Sequence, residues 1–82
     1  MDRQTLRESV EAALMGNWHK AHEIVQQDEY DPLACWIHAV LHKIEGDTWN
    51  SRYWYARTDH PYEEWDDPLD ELRAILVLLS RS

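Results

Sequence analysis

The sequence predicts an all-α fold of two antiparallel helical hairpins followed by a C-terminal capping helix. Apolar residues recur at intervals of three and four positions in five segments, which is the spacing of one helix face. Asn, Asp or Gly stands at most of the segment ends, where these residues commonly cap helices. The 82 residues include only two Gly and three Pro, too few for the turns of a β-sandwich. A chain of this length is expected to form one domain, residues 1–82.

The first hairpin is predicted over residues 3–28, with helices at 3–15 and about 18–28. Gly16 can end the first helix in a left-handed conformation, and Asn17 can cap the second. The apolar stripes consist of Leu6, Val10, Ala13 and Leu14 in the first helix and Trp18, Ala21, Ile24 and Val25 in the second. The spacing of both stripes indicates amphipathic helices, each with one side available for packing.

The second hairpin is predicted over residues 32–58. Asp31 is a good N-cap, and Pro32 is tolerated at the first helical position because its missing N–H would have no partner there. The third helix is expected to end at Gly46, and Asp47 is expected to cap the fourth helix. The third helix is apolar almost all round, which is typical of a buried central helix.

An acidic loop is predicted at residues 59–67, and the capping helix at 68–80. The loop is interpreted as a solvated connection. The alternatives are a docking strip for a basic partner and a hard-cation site formed by Glu63, Glu64, Asp66 and Asp67. In the capping helix, Val77 and Leu78 lie outside the main apolar face. A terminal helix should present a polar outer face, so we expect a symmetric homodimer through 68–80.

Charge and composition restrict the partners that the chain can have. The formal net charge is −8, which disfavours nucleic acid, because phosphate binding needs clustered Lys and Arg. No apolar run approaches the roughly 20 residues of a membrane span, so no membrane association is expected. The single cysteine, Cys35, cannot form an intrachain disulfide, which fits a reducing cytoplasm.

The chain contains an internal repeat, in which a predicted helix is followed by Gly, then by Asn or Asp, and then by a second predicted helix. Gly16 and Gly46 begin the two turns and stand thirty positions apart. The small and aromatic positions of the second half are Ala39, Gly46, Ser51, Tyr55 and Thr58. Over residues 4–61 this pattern resembles the tetratricopeptide repeat, in which small residues let two antiparallel helices approach. Ser51 and Thr58 stand where that family usually has Ala, its Trp-Leu-Gly start is absent, and the repeat is shorter than the family's 34 residues.

The stretch 36–57 also resembles a family of small uncharacterised bacterial proteins. Their hallmark is a His-Ala-x-Leu-His-x-x-Glu-Gly-Asp-x-x-Asn-x-x-Tyr-Trp-Tyr string. The matching residues are His38, Ala39, Leu41, His42, Glu45, Gly46, Asp47, Asn50, Tyr53, Trp54 and Tyr55. Ser51 again replaces an expected Ala. The resemblance implies an architecture and a site within this stretch, and it does not imply a reaction.

Three polar residues form the candidate metal site. His38, His42 and Glu45 stand at i, i+4 and i+7, along one side of the third helix. Imidazoles and a carboxylate at this spacing can ligate Zn²⁺ or a similar divalent metal, and His19 or His22 could add a ligand. The preferred interpretation is structural, with the histidines forming hydrogen bonds inside a tight hairpin. No other cofactor is predicted.

The aromatic side of the fourth helix forms the candidate binding site. It carries Trp49, Tyr53, Trp54 and Arg57. We expect residues 60–79 to fold over this side and complete the core. The alternative is an exposed groove that anchors a peptide, a partner chain or a small ligand, since Trp, Tyr and Arg are common anchors at interfaces.

The leading functional hypothesis is non-enzymatic: a protein-interaction or scaffold module that can self-associate. The alternative is a metal- or small-ligand-binding protein with its site around His38, His42 and Glu45. Catalysis has little support in the sequence. Asp47 is accounted for as an N-cap, and Cys35 points toward small residues, which favours helix packing over nucleophilic chemistry.

Overall fold

The structure, a computed structural model, describes residues 1–81. Over this range the chain forms five α-helices, one short 3-10 helix and no strand, which confirms the predicted all-α class. The α-helices are α1 (Arg3–Leu14), α2 (Trp18–Val25), α3 (Pro32–Glu45), α4 (Thr48–Tyr55) and α5 (Pro68–Ser80), and the 3-10 helix spans Tyr62–Glu64. Helix α1 pairs with α2, and α3 pairs with α4, as expected for two hairpins, while α5 packs on α1 and α3.

The two interhelix turns have the predicted capping residues. Gly16 and Gly46 have φ angles of 82° and 80°, in the left-handed region that favours glycine. Asn17 and Asp47 then accept hydrogen bonds from backbone N–H groups in the first turns of α2 and α4. Each such cap stabilises its helix by about 1 kcal/mol.

Helices α2 and α4 each end about three residues earlier than predicted. From Gln27 and from Arg57 onward, backbone N–H groups bond to carbonyls three residues earlier instead of four. Both predicted extensions therefore continue as tight turns and not as α-helix.

Helix α3 is the centre of the core, as its all-round apolar pattern predicted. Its residues 34–41 are all buried, including His38. Helix α5 covers α1 and α3 with Leu72, Ile75 and Leu79, which are 0%, 0% and 3% exposed. Burying each such side chain stabilises the fold by about 1.5–3 kcal/mol.

A buried polar network attaches α5 to the second hairpin. Glu71 is fully buried; its Oε2 accepts hydrogen bonds from Trp36 Nε1 at 2.8 Å and from the Tyr55 hydroxyl at 2.7 Å. Its Oε1 accepts a hydrogen bond from Lys43 Nζ at 3.0 Å. Burial, together with the neighbouring Glu71 carboxylate, raises the pKa of Tyr55 above its usual range. Lys43 Nζ also donates to the Trp65 carbonyl at 3.2 Å and so holds the acidic loop against the core.

A serine hydroxyl crosses between the helices of each hairpin. Ser9 Oγ donates to the Ala21 carbonyl at 2.9 Å, from α1 to α2. Ser51 Oγ donates to the Ala39 carbonyl at 2.7 Å, from α4 back to α3. In the thirty-residue repeat, position 9 corresponds to position 39, and position 21 corresponds to position 51. The first hairpin therefore has Ser9 and Ala21 where the second has Ala39 and Ser51.

The expectation that residues 60–79 cover the aromatic side of α4 is wrong. Trp49 is 74% exposed and Tyr53 is 44% exposed. Helix α5 packs against α1 and α3 instead, and Tyr62 of the loop contacts Tyr55 on a different side of α4. Among the described residues, no helix has the length and apolar character needed to cross a membrane.

Candidate metal centre

Three histidines from two helices lie close together where α2 packs against α3. His38 and His42 lie one helical turn apart on α3, and His22 approaches them from α2. One ring nitrogen from each histidine lies within 4.8 Å of the others. The ring centroids are 5.3 Å apart for His22 and His38, 5.1 Å for His22 and His42, and 4.9 Å for His38 and His42. We call these three residues the histidine cluster.

Glu45 lies at the edge of the histidine cluster. Its Oε1 is 2.6 Å from His22 Nε2, and its Oε2 is 3.6 Å from His42 Nδ1. Of the three residues singled out on α3, His42 thus lies next to both His38 and Glu45. His22 is the residue that joins them, whereas His19 is far more exposed and pairs with Glu23 at 2.7 Å.

His42 has an unpaired nitrogen within this site. Its Nδ1 is buried and, within residues 1–81, has no hydrogen-bond partner. The nearest carboxylate oxygens, on Glu45 and Asp47, are 3.6 Å and 3.9 Å away, beyond hydrogen-bonding distance. Leaving a buried polar atom unpaired costs about 1–3 kcal/mol. The hydrogen-bonding role that the structural interpretation assigned to His42 is therefore not fulfilled at this atom.

Burial keeps the α3 histidines neutral. Burial lowers the pKa of His38 to about 3, with further lowering from His42 and His22. Burial also lowers the pKa of His42, against an opposing effect of the Glu45 carboxylate. Both imidazoles are thus uncharged at neutral pH, the form in which histidine binds metal ions.

The aromatic residues of α4 continue from the histidine cluster to the surface. The Trp54 ring stacks on His38 at 4.1 Å between centroids and meets Tyr53 edge-on at 5.1 Å. Trp49 is nearly parallel to Tyr53 at 6.0 Å, and the Arg57 guanidinium lies over both Tyr53 and Trp54, at 5.2 and 5.1 Å. We call Trp49, Tyr53, Trp54 and Arg57 the aromatic strip.

The other candidates for chemistry have structural roles. Cys35 is buried, its Sγ donates to the Glu29 carbonyl at 3.1 Å, and burial raises its pKa, so it is a poor nucleophile. Asp47 caps α4, and hydrogen bonds from Asn50 lower its pKa. Neither residue offers a free reactive group.

The arrangement of the histidine cluster matches the chemistry of a metal site. Neutral imidazole nitrogens and a carboxylate are the ligands that Zn²⁺ takes in four-coordinate sites. The His22 and His42 side chains are 17% and 16% exposed, so an ion can reach them from solvent. Comparison of the chain with protein-family models, curated proteins and solved structures finds no match. The described residues form a small all-α fold in which three histidines lie close together.

Proposed function

We propose that this chain is a metal-binding protein that holds Zn²⁺, or a divalent ion of similar preference, at His22, His38 and His42. The observation that carries the proposal is the convergence of three ring nitrogens within 4.8 Å. The unpaired Nδ1 of His42 supports it, because a bound ion would supply the partner that this nitrogen lacks within residues 1–81. Imidazole ligands suit zinc, copper, iron and nickel, so the ion that is bound depends on which of these metals is available in the cell.

Glu45 is the proposed fourth ligand. Its two oxygens lie near His22 Nε2 and His42 Nδ1, so an ion between these nitrogens also meets the carboxylate. Binding would displace the hydrogen now shared by His22 and Glu45, as expected when protons and metal ions compete for ligands. Three histidines and one glutamate would supply four ligands, the number found in closed zinc sites. A closed site would serve storage, sensing or stabilisation, because hydrolysis needs an open position for water.

Calorimetric titration of the tag-free protein with Zn²⁺ tests the proposal. We expect one bound ion per chain and a rise in melting temperature on binding. His22→Asn and His42→Gln should abolish both effects, because each substitution removes a proposed ligand. Both positions are partly exposed, so the fold should tolerate the substitutions. His19→Asn is the matched control, because His19 is a highly exposed histidine on the same helix, and it should bind like the parent. The absence of both heat and a melting shift in the parent protein would refute the proposal.

We also propose a second role, binding of an extended proline-rich peptide on the aromatic strip. Trp49 and Tyr53 are exposed, and nearly parallel aromatic rings are the surfaces on which such peptides dock. Arg57 supports the strip by donating to the Tyr53 hydroxyl and to the Glu29 carbonyl, each at 3.0 Å. The net charge of −8 favours a peptide that also carries Lys or Arg.

Nuclear magnetic resonance titration tests this second role. A proline-rich peptide with flanking lysines should shift signals of the aromatic strip, and the same peptide with glutamates should bind more weakly. Trp49→Ala should weaken binding by at least about tenfold. Trp18→Ala removes a tryptophan outside the strip and should have no effect. Equal binding by the Trp49 and Trp18 variants would exclude the strip as the docking surface.

A further inference from the structure

The outer face of α5, together with the residue that follows the helix, carries a short seam with the spacing of a coiled coil. Asp70, Ala74, Val77 and Arg81 follow one another at intervals of four, three and four positions. The opposite face of α5 is the one buried against α1 and α3. Val77 is 56% exposed, and Leu78 beside the seam is 41% exposed. Within residues 1–81 no helix packs on this seam, in which Ala74 and Val77 lie between the charged residues Asp70 and Arg81.

We infer that this seam pairs with the same seam of a second copy of the chain, in antiparallel orientation. A two-fold axis midway between Ala74 and Val77 places each Ala74 opposite the partner's Val77. The same axis places each Asp70 opposite the partner's Arg81. Size and charge thus match in a single register, and both copies use the same patch, as closed dimers with two-fold symmetry require.

Within residues 1–81, one ion pair of the side chains competes with these contacts. Asp70 bonds to Arg73 at 2.9 Å, but both side chains are more than half exposed, so this ion pair is weak and exchangeable. The Arg81 side chain is exposed directly after the end of α5. Ala74 has only a methyl group, which allows the two helices to approach closely and bring Val77 into contact.

The complementarity favours a second copy over an unrelated partner. An acidic or basic foreign helix would match only one end of the seam, whereas an inverted copy matches both ends. The seam spans about 17 Å at 1.5 Å per residue. This is a small contact compared with a standard interface of about 800 Å² per partner, so the dimer is weak and forms at high micromolar concentration.

Light scattering and sedimentation over a concentration series test the inference. The parent protein should change from monomer to dimer between low micromolar and millimolar concentration. Val77→Lys should raise the dimer dissociation constant at least about tenfold. Met15→Lys replaces another exposed apolar side chain, 86% exposed and outside the seam, and should leave the dimer unchanged. Melting curves establish that both exposed substitutions leave the fold intact.

A charge exchange tests the register itself. Asp70→Arg and Arg81→Asp should each weaken the dimer, because each places like charges opposite one another. The double variant should restore it, because the opposite charges meet again with reversed sign. A parent protein that stays monomeric at millimolar concentration overturns the inference and leaves the seam to a different partner. A double variant no tighter than either single one overturns the antiparallel register.

Discussion

His22 Nε2 lies 2.6 Å from Glu45 Oε1, and this contact joins the second helix of the first hairpin to the end of the central helix. The pair lies at the edge of the histidine cluster, where Glu45 also approaches His42 Nδ1. One carboxylate thus faces two imidazoles that come from different hairpins. The relative placement of the hairpins therefore determines whether the histidine cluster forms.

Glu45→Gln should weaken Zn²⁺ binding by about 10- to 100-fold, because the amide lacks the charge that a ligand or orienting carboxylate supplies. The metal-free protein should lose less than about 1 kcal/mol, since the His22–Glu45 pair is partly exposed. Competition titration with a chelating dye measures the affinity. Glu23→Gln, at the exposed partner of His19, is the control. Unchanged affinity in the Glu45 variant would remove this residue from the site.

Glu71→Ala should destabilise the fold by about 3–5 kcal/mol, because it leaves the Lys43 ammonium buried without its counter-charge. The Trp36 and Tyr55 donors would lose their acceptor as well. Urea unfolding followed by circular dichroism measures the free energy of unfolding. Glu63→Ala serves as the comparison, since its ion pair with Arg52 is exposed and should contribute little. A similar small loss in both variants would show that the network contributes no more than a surface pair.

Stability should fall as the pH is lowered from about 6.5 toward 3, in part because of His38. Burial lowers the pKa of His38 in the folded state to about 3, whereas the unfolded chain has the ordinary value of 6.5. Below pH 6.5 the unfolded state binds a proton that the folded state excludes, so each pH unit costs up to about 1.4 kcal/mol. His38→Phe removes this titration. Urea unfolding at a series of pH values should therefore show a shallower acid loss in that variant than in the parent.

Ser9→Ala should destabilise the first hairpin by about 1 kcal/mol, through loss of the buried hydrogen bond to Ala21. Adding Ala21→Ser should recover most of that loss. The new hydroxyl would occupy the position that Ser51 occupies in the second hairpin, where it donates to the carbonyl of the facing helix. Thermal unfolding of the two single variants and the double variant measures the recovery. If the effects simply add, the two hairpins do not have equivalent contacts.

Local signals were sufficient to predict the five α-helices and where each one begins. Asn17, Asp31 and Asp47 each cap a helix where the sequence placed a start, because a side-chain oxygen reaches a backbone N–H only a few residues away. The alignment of His38 with His42 was also predictable, since residues four apart lie on one side of a helix.

Contacts between distant segments could not be predicted in the same way. Only the packing of α2 on α3 brings His22 into the histidine cluster, and no spacing along the chain encodes that distance. Glu71 belongs to a run of acidic residues, and its burial depends on where α5 docks. The docking of α5 on α1 and α3 also leaves Trp49 exposed, contrary to the expected coverage.

The exchange of serine and alanine between the hairpins shows which contact the two hairpins have in common. At the pair of positions 9 and 21, and again at 39 and 51, the retained feature is one hydroxyl bonded to one facing carbonyl. Either helix can supply the hydroxyl, as Ser9 of α1 and Ser51 of α4 show. The hairpin therefore needs a serine at one of the two facing positions, and not at a particular one. An alignment that scores one column at a time would count two mismatches where the interaction is intact. Ser51, which departs from the expected Ala, is thus half of a compensated pair.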